Sequence, residues 1–140
     1  GVLPIAMAAY LFALVDHPDP KQRDPEYVVR ALEERAGLLV SLRWPATVEI
    51  LARMRLEDWS GALAVFEGRF KPQLLMLVTP MTYEFWRTLI YARLGRGVEA
   101  EQVYKRGMLA WDEQTADHPE LWARSDAMRW RTAAEAALAK

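Results

Sequence analysis

Cysteine is absent from the 140 residues, histidine occurs twice, and serine only at Ser41, Ser60 and Ser125. Without cysteine there is no disulfide framework, no thiolate metal site and no cysteine nucleophile; a reducing and an oxidising compartment remain equally compatible. None of the serines has a recognisable base beside it, so a nucleophilic triad finds no support. A charge of one sign is also lacking. Eighteen Lys and Arg oppose 19 Asp and Glu, for a formal net charge of -1, and no global field favours nucleic acid or anionic lipid. What is present is globular composition, 52% hydrophobic and 26% charged, in a chain of single-domain length.

One apolar run stands out. "GVLPIAMAAYLFALV" (residues 1–15) carries no charge. As a helix it would span about 22 Å, short of the roughly 30 Å hydrocarbon core of a bilayer, and it lacks a basic leader. A buried helix of a soluble domain is the expected reading. The alternative is part of a membrane or signal segment, with membrane contact through residues 1–15.

Helix signals recur along the rest of the chain. Pro4 suits a first turn, and "DHPDPKQRD" stops that helix. Asp24 is expected to cap a second helix with Pro25 at its first position, and Gly37 to end it. "LLVSLRW" (38–44) is ambiguous between strand and helix. Pro45 opens a helix through Val48, Leu51, Ala52 and Met54; another starts at Asp58 and ends or kinks at Pro72. "LLMLV" (74–78) has no partner strand in the sequence. Thr79-Pro80 starts "MTYEFWRTLIYARL", and "VEAEQVYKRGMLAW" follows Gly97. A last helix is expected from Asp117 or His118 onward, through "ELWARSDAMRWRTAAEAALAK". The chain reads as all-α.

Gly95-x-Gly97-x-x-Ala100, with Asp117 further on, has the spelling of a dinucleotide-binding loop. That loop requires a strand before it and another after its helix. Here Phe85, Leu89 and Ala92 form a helical stripe before Gly95, and polar "DEQTADHPEL" stands where the second strand should be. The stretch is expected to turn a corner between two antiparallel helices.

Tyr91, Ala92, Gly95, Ala100, Tyr104 and Gly107 resemble the second part of a tetratricopeptide repeat. Trp59, Ala62 and Phe66 repeat the pattern, since Ala62 and Phe66 each precede Ala100 and Tyr104 by 38 residues. The likeness covers about residues 45–115. It departs from the family in spacing, which is 34 there, and at Arg53 and Arg69, where an aromatic and a small residue are usual. The resemblance implies antiparallel helical hairpins stacked as a short right-handed array over residues 1–140. Residues 1–37 and 118–140 would supply capping helices. It also implies a groove lined by the first helix of each pair: Trp44, Leu51, Met54 and Arg55, then Phe85, Leu89 and Arg93. The same faces could equally close on the N-terminal helix and leave no groove.

Other chemistry is weaker. "DHPD" (16–19) and "DHPE" (117–120) fall between helices, where Asp and Pro are ordinary capping residues, and no metal or cofactor is expected. Glu33-Glu34 and Asp112-Glu113 have the pattern of solvated helix faces. Arg93, Arg96, Lys105, Arg106, Arg124, Arg129 and Arg131 are interspersed with acids, which argues against RNA binding. Of the six tryptophans most are expected in the core and one or two in a contact surface. The reading is a non-enzymatic protein-binding or scaffold module for a peptide or amphipathic helix, in a cytoplasmic or organelle interior. The alternatives are a structural subunit buried in a larger complex, and an RNA-binding helical repeat.

Overall fold

The computed structural model describes residues 2–34, 44–68 and 78–140, and of residues 2–6, 8, 44 and 45 the backbone alone. Among the described residues all regular structure is helical and no strand occurs. Gly37, Pro72 and the ambiguous runs 38–43 and 74–77 lie outside the described residues. The chain divides into two compact units, Gly1–Leu77 and Val78–Lys140.

The first unit holds α1 (Val2–Asp16), a 3-10 turn (Pro20–Gln22), α2 (Pro25–Glu34), α3 (Trp44–Arg55) and α4 (Trp59–Gly68). α1 packs against α3 and α2, α2 against α3, and α3 against α4. Its charge-free stretch has no polar stripe, and one side carrying Leu11 and Val15 is buried. The α1 C-terminus is closed by distant groups. Asp24 N–H donates to the Leu14 carbonyl at 2.7 Å, and Arg55 Nε to the Val15 carbonyl at 3.0 Å. α2 begins as its sequence dictates: the Asp24 carboxylate accepts the Tyr27 N–H at 3.1 Å, satisfying one of the donors that a helix start leaves open. Val28, Ala31 and Leu32 form its buried stripe.

α3 is the central element of this unit. Eight of its residues, Ala46 to Met54 except Arg53, are buried, including Thr47 and Glu49. Buried Glu49 accepts from Arg53 Nε at 2.9 Å, and Asp58 accepts from Arg53 Nη1 at 2.7 Å. Glu33 of α2 stands 3.9 Å from the same guanidinium. Glu49 first, and then Asp58, hold the Arg53 guanidinium above its usual range, against the opposing effect of burial.

The second unit holds α5 (Pro80–Arg93), α6 (Gly97–Thr115), the short α7 (Pro119–Trp122) and α8 (Asp126–Leu138). α5 and α6 run antiparallel: Arg106 Nε reaches Glu84 Oε2 at 3.1 Å, and Gly107 lies against Phe85. α8 packs mainly on α5 and also touches α6. Ser125 corrects the sequence reading of one continuous last helix. Its hydroxyl accepts the Met128 N–H at 3.2 Å and donates to the Trp122 carbonyl at 2.7 Å. It thereby ends one helix and caps the next.

The two hairpins turn by the same chemistry. After α3, Asp58 N–H donates to the Arg53 carbonyl and Glu57 N–H to the Met54 carbonyl; after α5, Arg96 N–H donates to Tyr91 and Gly95 N–H to Ala92. Each is the paired closure that ends helices on a left-handed residue. That residue is Gly95 (φ 76°) in one case and Glu57 (φ 59°) in the other, 38 positions apart. Glycine takes this conformation freely and glutamate does not. Glu57→Gly should therefore raise stability by roughly 0.5–1 kcal/mol, and Gly95→Ala lower it by about the same. Urea unfolding followed by circular dichroism reads both. Two unmoved midpoints would show that neither turn is strained as described.

Candidate protein-binding surface

Most of the residues that the repeat resemblance places in a groove are core side chains. Leu51 and Phe85 are fully buried, and Met54 and Leu89 nearly so. Phe85 points at α6: its ring centroid lies 6.3 Å from both Tyr104 and Trp111. Opposite it, Gly107 has no room for a side chain, since a Cβ there would stand 2.8 Å from Phe85 Cε1. The glycine permits close helix approach. Arg55 is engaged with the end of α1, its Nη2 also 3.7 Å from Asp16. Arg93 is exposed on the last turn of α5. Trp44 opens α3, and its side chain lies outside the described residues.

The clasp positions of the two hairpins carry different chemistry. In the first, Arg53 and Asp58 form an ion pair across the turn. Their counterparts 38 residues on are Tyr91 and Arg96, where the Arg96 guanidinium lies over the Tyr91 ring at 4.9 Å. Where the second hairpin has the aromatic Tyr91, the first thus has Arg53 with a compensating acid, Asp58. Arg96 also pairs with Glu99. Such mixed pairing runs through the second unit, where Arg129 meets Asp126 at 2.7 Å and Arg106 meets Glu84.

The histidine tetrapeptides shape turns. His17 Nδ1 accepts the Asp19 N–H at 3.0 Å, and Asp19 in turn accepts the Lys21 N–H. His118 precedes Pro119 at the start of α7. Among the described residues no group of three His, Asp or Glu is arranged to hold a metal ion, and no helix is long and apolar enough to cross a membrane.

The face of α5 beneath α8 is the most distinctive apolar surface, and sequence reasoning did not find it. Trp86, fully buried, meets Trp130 of α8 edge to face at 5.6 Å and Tyr83 at 5.5 Å. Buried Ala127 and Ala134 flank Trp130 on α8. The Trp86 indole Nε1–H finds no acceptor among the surrounding protein groups. An unmet buried donor of this kind costs about 1–3 kcal/mol.

Two contacts clasp α8 to α6 at the rim of that face. Tyr104 donates its hydroxyl to Glu135 Oε2 at 2.6 Å, and Arg131 lies over the Trp111 ring at 5.0 Å. Burial, and then the bond to Glu135, push the Tyr104 phenol above its usual value. The neutral phenol is therefore favoured in the folded state, and this contribution is lost as pH rises above the ordinary tyrosine range. Of the tryptophans, Trp86, Trp111 and Trp130 are buried, and Trp59 and Trp122 are half-buried.

Compared with models of known families, with curated proteins and with solved structures, the chain matches none of them.

Proposed function

We propose that this chain is a short tetratricopeptide-like helical-repeat module whose role is to bind a protein partner rather than to catalyse a reaction. The observation that carries this reading is the recurrence of one hairpin design at a 38-residue interval. Both hairpins have the same left-handed closure at positions 57 and 95. Both bury an alanine completely in the second helix, Ala62 and Ala100. Repeated hairpins of this kind offer extended surfaces for peptides and helices, and they suit recognition better than they suit an enclosed reaction centre. The partner class is a peptide or an amphipathic helix.

A second reading rests on α1. Its Tyr10 is 58% exposed on a helix that carries no charge before Asp16, and Ala9 and Ala13 beside it are exposed too. Such a surface favours a subunit whose apolar helix is covered inside a larger assembly.

Affinity capture on the immobilised full chain, with nuclease added, tests the proposal. A defined protein retained in fixed proportion at high salt is the expected result. Retention of RNA that falls steeply with added salt would replace it with the nucleic-acid reading. Recovery of the chain only within a large, inseparable complex would favour the structural subunit.

A further inference from the structure

We propose that α8 is an in-chain occupant of a helix-docking face on the α5–α6 hairpin, and that a partner's amphipathic helix takes its place there. The proposal rests on the protein-binding reading above and names the surface that would serve it.

Three observations carry it. First, α8 is an imperfect fit. Trp86 is wholly buried at the centre of the face, yet its indole N–H has no acceptor. The α8 side chains flanking Trp130 are Ala127 and Ala134, which have no polar atom to offer it. A helix presenting an aromatic edge, with a side-chain amide or hydroxyl oxygen one turn away, would meet both requirements of the face.

Second, the fastening of α8 to α6 is peripheral. The Tyr104–Glu135 bond joins half-buried Tyr104 to exposed Glu135 at the rim, and Arg131 shields Trp111 from the side. Third, α8 is attached through a largely exposed connector, held to α6 by Trp122 set edge-on against Trp111 at 6.4 Å. Residues 116–121, 123 and 124 are exposed, and the connector's only regular structure is four-residue α7. The α8 surface away from α5 is polar, with Asp126, Arg129, Thr132 and Glu135 exposed, so the helix remains soluble when it leaves. Closure thus hides the tryptophan face until a better-fitting helix competes for it, which makes α8 an autoinhibitory strap.

The test uses the full chain, as wild type and with Tyr104→Phe or Glu135→Ala, and a fluorescent peptide copying residues 123–140. Both substitutions remove the rim bond and leave the packed face untouched. Amide exchange across α8 is expected to quicken by about tenfold in either variant while α5 and α6 keep their wild-type rates. The peptide is expected to bind the residue-135 variant about tenfold more tightly than wild type, and Tyr104→Phe about as tightly as wild type, because the peptide's own Glu135 then has no phenol to accept from. Unchanged exchange, a rise shared equally by α5, α6 and α8, or no peptide binding to either variant would overturn the proposal. Partner capture that is identical for wild type and both variants would reject the strap and leave the protein-binding reading standing.

Discussion

Phe85→Ala is expected to lower stability by about 3–5 kcal/mol, the range for deleting a buried aromatic ring. Few single changes in the second unit should match it. The ring is fully buried, sits between Tyr104 and Trp111, and closes over Gly107. A domain of this size is typically stable by about 5–15 kcal/mol in total, so the variant should unfold at much lower urea. The neighbouring glycine supplies a sharper check. Gly107→Ala should destabilise by itself, because the new methyl meets the Phe85 ring below contact distance. Combined with Phe85→Leu, the penalty should shrink, since the ring edge that obstructs it has gone. A loss below about 1 kcal/mol for Phe85→Ala would remove Phe85 from the core and return it to the role of a surface anchor. With the present burial, polar substitutions at Phe85 and Leu89 would unfold the unit before they reported on any groove.

Arg53→Ala should be a large loss for a single polar side chain in the first unit, about 2–3 kcal/mol. The guanidinium serves buried Glu49, the helix-start carboxylate of Asp58, and at longer range Glu33. Removing it leaves Glu49, 6% exposed, without its closest positive partner. The Arg53 side chain is itself 25% exposed, so solvent screening keeps the loss below that of a fully enclosed pair. Pairing Arg53→Met with Glu49→Leu should recover most of the stability, because the buried acid and the cation that serves it leave together. Chemical denaturation of the single and double variants measures the difference. A double variant as weak as Arg53→Ala would mean that the aliphatic stem of Arg53 matters more than its charge.

The helix starts and the corner at Gly95 were legible because their causes are local. Asp24 and Asp58 stand just before helical periodicity begins, and each accepts an N–H three residues on. Gly95 takes the left-handed conformation that no neighbouring residue could adopt as freely. The equivalent turn at Glu57 lacks a glycine, so its likeness to the second turn was visible only in hydrogen bonds. The break at Ser125 had a local signal, a serine followed by an acid, but the helix-forming residues on both sides outweighed it.

The candidate groove was less legible for a different reason. Periodicity shows that Phe85 and Leu89 share a face; it does not show which neighbour that face meets. α3 and α5 are buried around most of their circumference, so an apolar stripe cannot be assigned to a groove from sequence. The repeat resemblance places Arg55 in the groove lining. Its true partner is a carbonyl 40 residues earlier in the chain, a pairing with no trace in local pattern. The Tyr104–Glu135 bond, 31 residues apart, escaped notice in the same way.

The link between Arg55 and Val15 also bears on the order in which a ribosome releases this chain. When residues 1–16 first emerge, the carbonyls at the end of α1 have no internal partners. The guanidinium that serves Val15 is made 40 residues later. α1 is therefore completed only once α3 has been made, and during that interval its apolar surface is exposed to whatever binds nascent apolar segments.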